Sequence, residues 1–227
     1  MGAVVLGQLT EVPRPRLVAW AVLVTVLAAL SYAANLADSG DTPDDLLYRW
    51  SSAIGGLVQY AIILAVVLAI ARGIAPATLG LARPRWRQAV ARIAVALVTI
   101  WVVGAVLNLF LQAGKEQGLV PKEWDPGKAA PFVANFIVVA CVAPVVEELT
   151  YRGLGFAAVR DTFGNGAAVV VTAVAFGLAH GLVVALPVLT IFGLILAWLR
   201  LTTGSIYPTI ALHALFNGVA LIAAVTV

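Results

Sequence analysis

Long apolar runs, each closed by a short polar cluster, dominate the chain. Seven stand out, at residues 17–36, 53–71, 93–113, 131–151, 167–186, 187–201 and 205–227. Most approach or exceed the roughly 18–20 residues that a helix needs to cross about 30 Å of hydrocarbon. Backbone polar groups find no water there, so every run is expected to be helical. Gly181 and Pro187 alone punctuate the fifth and sixth runs, and a re-entrant fifth segment is the alternative to two spans. The pattern predicts an all-α, polytopic transmembrane bundle of about seven spans, forming a single membrane domain over residues 1–227.

Composition agrees: 62% of the residues are hydrophobic and 11% charged, against about 25% charged in soluble domains. A lone cysteine excludes an internal disulfide. The net charge of +3 is not a nucleic-acid signal, because the distribution of Lys and Arg between loops carries the information in such a chain. With the N-terminus in the cytoplasm, ten basic residues fall inside, among them Arg83, Arg85, Arg87 and Arg92, and four outside. The outer side then collects Asp38, Asp41, Asp44 and Asp45. This orientation satisfies the positive-inside rule and predicts a multi-pass protein of the cell membrane with lipid as its first partner. Tyr48, Trp50 and Trp124 fall where an outer aromatic belt belongs.

Ionisable groups inside membrane helices cost about 2.5–3.5 kcal/mol each on insertion scales, so they point to function. Glu147-Glu148-x-x-x-Arg152 closes the fourth run. Glu148 and Arg152, four apart, share a helix face and can pair; Glu147 points about 100° away. Neighbouring carboxyls in a low dielectric resist being charged together, a setting in which one becomes a general base or acid. An interfacial ion pair is the plainer account of Glu148 and Arg152, but it leaves Glu147 unexplained.

Phe176-x-x-x-His180 lies in the fifth run and is followed by Gly181, which can open the helix to water or substrate backbone. His213-x-x-x-Asn217 in the last run sets imidazole and carboxamide side by side. Taken singly, each is also an ordinary interhelical hydrogen-bonding residue, as Asn108 and Asn135 can be. Taken together, the chain's two histidines both lie in membrane runs, and Glu147, His180 and His213 come out at similar depth. Pro144 should kink the fourth helix beside Glu147, and Cys141 is expected to be a small buried apolar residue.

EELTYR (147–152), FGLAH (176–180) and HALFN (213–217) resemble, in order and spacing, the motifs of the CPBP intramembrane proteases, which include the CAAX prenyl proteases and the Abi bacteriocin-processing and immunity proteins. The likeness extends over roughly residues 80–227, the expected protease core; the first two spans match only in being hydrophobic. It implies an intramembrane endopeptidase. Glu147 would activate a water, assisted by His180; His213 and Asn217 would supply oxyanion donors; Glu148 and Arg152 would position the helix. The substrate would be a membrane-associated protein or peptide: CAAX-like, a bacteriocin or a signalling peptide. The family is often called metalloprotease, and Glu147, His180 and His213 could also ligate Zn²⁺, although no His-Glu-x-x-His helix is present. A catalytically silent scaffold or bacteriocin-immunity protein of the same fold is the alternative, followed by a proton-coupled transporter.

Overall fold

The computed structural model describes residues 4–5, 8–37, 45–111 and 123–226. A minimal hairpin, β1 (Val4–Val5) with β2 (Gln8–Leu9), precedes α1 (Arg14–Ala37), α2 (Trp50–Ala71) and α3 (Trp86–Leu111). A run of consecutive helical elements follows: α4 (Ala129–Ile137), a π-helical turn (Val138–Val142), α5 (Ala143–Glu148), a second π-helical turn (Leu149–Gly155) and α6 (Phe156–Ala179), which is kinked at Gly164. The helices α7 (Leu186–Thr203) and α8 (Tyr207–Thr226) complete the bundle.

Six helical stretches are long and apolar enough to cross a membrane, where the sequence pattern predicts about seven runs. The difference lies in the fourth, Pro126–Ala179, whose 54 residues would reach about 80 Å as one straight helix. Gly164, at φ 85° and ψ 175°, divides it. Such a conformation is open to glycine and costly for any residue with a Cβ. The predicted fourth and fifth runs are therefore the two limbs of one bent helical stretch. The chain is a multi-pass, all-α membrane protein.

Large apolar side chains cover the outer faces, with Trp101 at 71% and Phe110 at 78% exposure. A surface of that kind is stable against lipid rather than water. The core gathers Trp20, Leu154, Phe156, Phe176, Leu196, Leu199 and Leu212, from α1, α6, α7, α8 and the second π turn. Lipid tails are as apolar as these side chains, so close packing must hold the helices together. Small residues permit it: Gly193 of α7 rests on the Ala173 backbone of α6, and Gly177 of α6 leaves room for Thr190.

Polar contacts fasten the ends. Trp20 Nε1 donates to the Thr150 carbonyl at 3.0 Å, over Gly155, where a Cβ would strike the indole. Arg16 donates to the Ile70 and Arg72 carbonyls at the end of α2. Asn135 Nδ2 bonds the Leu47, Arg49 and Pro131 carbonyls, so it acts as interhelical glue. Tyr48, Trp124 and Phe132 form one aromatic cluster. Cys141 is exposed, not buried; Val138 and Ala140 of the same π turn take the inward positions. The charges at Asp38, Asp41, Asp44, Lys115, Glu116 and Lys122, and the side chain of Asn108, lie outside the described residues.

Candidate active site

Two π-helical turns flank the short helix that carries the paired glutamates, and Pro144 accounts for the first. In a π turn the N–H of residue i+5 meets the carbonyl of residue i; Ala143 N–H bonds Val138 O in this way. One step along, Val139 O would face the nitrogen of Pro144, which has no hydrogen. Asn217 of α8 fills the gap, its Nδ2 donating to Val139 O at 3.0 Å. The expected kink at Pro144 thus takes the form of a π turn, and one amide hydrogen of Asn217 is committed to the backbone. Its second amide hydrogen is left to serve the cavity that Asn217 lines.

Glu148 and Arg152 are both fully buried, at 0% side-chain exposure. Arg152 Nη1 donates to Glu148 Oε1 at 3.0 Å, and Nη2 donates to the Gly193 carbonyl at 2.9 Å. The pair is therefore internal, not interfacial. Removing one partner of such a pair typically costs about 3–5 kcal/mol, because the other charge is left uncompensated. Arg200, buried in α7, donates from Nε to the Arg152 carbonyl at 3.0 Å and from Nη2 to the Thr78 carbonyl. Gly80 lies against its guanidinium, where a Cβ would come within 2.6 Å. The second π turn is thereby tied to α7 and to the loop before α3.

His213 is buried, and its Nδ1 donates to Glu148 Oε1 at 2.9 Å, since a carboxylate can only accept. Its Nε2 then faces Glu147 Oε2 at 3.7 Å, too long for a direct hydrogen bond. Glu147 is half-buried, and its other oxygen, Oε1, accepts from the Tyr60 hydroxyl of α2 at 2.7 Å. His180 caps the end of α6, where its Nδ1 donates to the Phe176 carbonyl at 2.8 Å. That bond places a proton on Nδ1, and in the neutral ring Nε2 is then the acceptor nitrogen. Both imidazoles meet the Phe176 ring edge-on, with centroids 4.7 Å away for His180 and 5.6 Å for His213. The Arg152 guanidinium lies 4.5 Å from the same centroid, a cation–π contact. Phe176 is the hub that sets one histidine against the other.

Gly181 follows His180 with φ 67°, as expected for a residue that opens a helix end. What approaches it is the α1 backbone: a Cβ there would lie 2.5 Å from the Ser31 carbonyl carbon. Asn35 donates to the Gly181 carbonyl at 2.9 Å, which fastens α1 beside His180.

Two cavities meet at Glu147, Tyr60 and His180. One, of about 230 Å³, is bordered by Ser31, Gln59, Thr150 and Tyr151. The other, of about 260 Å³, is bordered by Phe192, His213, Phe216 and Asn217. All four residues expected at the centre, Glu147, His180, His213 and Asn217, line the second cavity; Glu148 and Arg152 support it from behind. Among the described residues no three His, Cys, Asp or Glu side chains are placed to hold a metal ion, so the donor set does not match a Zn²⁺ site. Sequence reasoning missed Tyr60. Its signal was faint: Gln59 and Tyr60 interrupt an otherwise apolar stretch of α2.

Residues 129–219 match the family model described as type II CAAX prenyl endopeptidase, Rce1-like. No curated protein and no solved structure matches the chain. The matched segment runs from α4 into α8 and contains all three motifs; over that segment the chain is similar to the CAAX proteases.

Proposed function

We propose that the protein hydrolyses a peptide bond within the membrane by a water that Glu147 activates. The observation that carries this reading is the split environment of Glu147, with Oε1 held by Tyr60 and Oε2 facing His213 Nε2 at the wall of a cavity that His180 also lines. A water in that cavity gives one proton to Oε2 and one hydrogen bond to His180 Nε2, which aims its lone pair at the scissile carbonyl. General-base assistance of this kind contributes about 10²–10⁴-fold.

As the C–O bond forms, negative charge collects on the carbonyl oxygen. His213, with a proton on Nε2 and its Nδ1–H on the Glu148 carboxylate, donates to that oxygen together with the second amide hydrogen of Asn217. Loss of one such donor costs about 10²–10³-fold in kcat. Glu147 then passes its proton to the departing amine nitrogen as the C–N bond breaks.

The family match supports a membrane-associated protein or peptide as the substrate class: a CAAX-type C-terminus, a bacteriocin or a signalling peptide. With the N-terminus cytoplasmic, the site lies toward the inner leaflet of the cell membrane, within the core at residues 80–227. The test compares peptide profiles of membranes from cells carrying the wild type, Glu147→Ala and His180→Ala. A protein that accumulates uncut in both variants supports the reading and names the substrate. Profiles identical to wild type in both variants would overturn it.

A further inference from the structure

The hydrogen bond to Glu147 comes from outside the segment that the family match covers. Tyr60 lies on α2, which contributes nothing to residues 129–219. Its hydroxyl lies 2.7 Å from Glu147 Oε1 and must be the donor if the carboxylate is ionised.

The other side-chain hydrogen bonds that join spans mostly end on backbone. Trp20 donates to the Thr150 carbonyl, Arg152 to Gly193, Asn135 to Leu47 and Asn217 to Val139. These bonds satisfy carbonyls and hold helices together. Tyr60 instead engages a half-buried carboxylate at the junction of two cavities, and its side chain lines both. Packing explains the ring in that place. It does not explain a phenol aimed at the group that the motif pattern marks as reactive.

A consequence for the chemistry follows. Glu147 has two oxygens and free rotation about its terminal bond, so a lone carboxylate would present either to the cavity. With Oε1 occupied, Oε2 is left facing His213 Nε2 at 3.7 Å. A carboxylate held in one orientation does not have to be reoriented at each turnover, and small losses of such alignment reduce rate steeply.

We propose that Tyr60 is a positioning residue of the hydrolytic site, which orients Glu147 through its hydroxyl, and that the catalytic unit therefore includes α2 in addition to the core. The proposal rests on the reading of Glu147 as the general base.

The test uses the full chain in lipid nanodiscs and an internally quenched, farnesylated peptide ending in Cys-aliphatic-aliphatic-X. Wild type against Glu147→Gln decides the hydrolase reading. Tyr60→Phe, which keeps the ring and loses the donor, is expected to lower kcat about 10- to 100-fold, the range for a hydrogen bond to a charged group, with KM unchanged. Placing 3-fluorotyrosine at position 60 restores the hydroxyl and is expected to restore kcat. In parallel, infrared difference spectra against Glu147→Gln locate the Glu147 carboxylate band, which should shift in Tyr60→Phe and return with 3-fluorotyrosine. Wild-type kcat in Tyr60→Phe, a rise in KM in place of the fall in kcat, or an unshifted band would each overturn the proposal. If the wild type leaves the peptide uncut, the hydrolase reading has failed for that substrate and the band alone decides the role of Tyr60.

Discussion

His213 Nδ1 and Arg152 Nη1 converge on one oxygen of Glu148, at 2.9 and 3.0 Å. A single carboxylate thus links the end of the fourth predicted run to α8, and its fully buried charge is balanced by a fully buried arginine. Glu148 is accordingly a structural anchor that sets the ring orientation of His213, while its neighbour Glu147 is left to the cavity.

Removing that anchor separates the two glutamates experimentally. Glu148→Ala leaves Arg152 buried without its partner and is expected to destabilise the fold by about 3–5 kcal/mol. Glu147→Ala frees Tyr60 and opens the cavity, and is expected to change stability by less than about 1.5 kcal/mol. Thermal unfolding in detergent should show a large fall in Tm for the first variant and a small one for the second.

Asn217 and Pro144 should be coupled. Asn217→Ala strands the Val139 carbonyl, a loss expected to cost about 1–3 kcal/mol. Pro144→Ala returns a backbone N–H at the position where that carbonyl needs one. The double variant should therefore lose less stability than the sum of the two single changes, as a double-mutant cycle on unfolding would measure. Activity should stay low in the double variant, because the carboxamide no longer reaches the cavity.

Gly181→Ala meets two obstacles, a positive φ and the Ser31 backbone. Backbone strain alone costs about 1–3 kcal/mol. Contact with α1 should loosen as well, so protease nicking near residues 31–35 is expected to rise relative to the wild type. Unchanged nicking and Tm would show that the Gly181 contact is not needed.

Phe176→Leu keeps an apolar side chain but removes the ring that both imidazoles and the Arg152 guanidinium contact. Peptide cleavage is expected to fall about 10-fold or more, as both histidines lose their alignment. A rate equal to wild type would remove Phe176 from the account.

The spans and the motif residues were legible in the sequence because each is a local property. Apolar run length marks a span, and spacing of four sets Glu148 beside Arg152 and His213 beside Asn217. What lay beyond reach depends on partners distant in the chain. Tyr60 and Glu147 are 87 positions apart, and nothing near Tyr60 announces a carboxylate. The partner of Asn217 is a carbonyl orphaned by a proline in a π turn, a register that residue periodicity does not reveal. The fourth and fifth runs read as separate because Arg152, Arg160, Asp161 and Asn165 interrupt the apolar pattern, whereas the helical path continues through them and bends at Gly164. Cys141 was misjudged because burial follows polarity only where water is the solvent.

The central claim is that water, activated by Glu147, attacks the peptide carbonyl directly. The measurement that tests it most directly is a single turnover in H₂¹⁸O, with mass analysis of both the cleaved peptide and the enzyme. The account predicts one ¹⁸O atom in the new C-terminal carboxylate of the product and none in Glu147. An unlabelled product with the label in Glu147 would instead show attack by the carboxylate itself, and would contradict it.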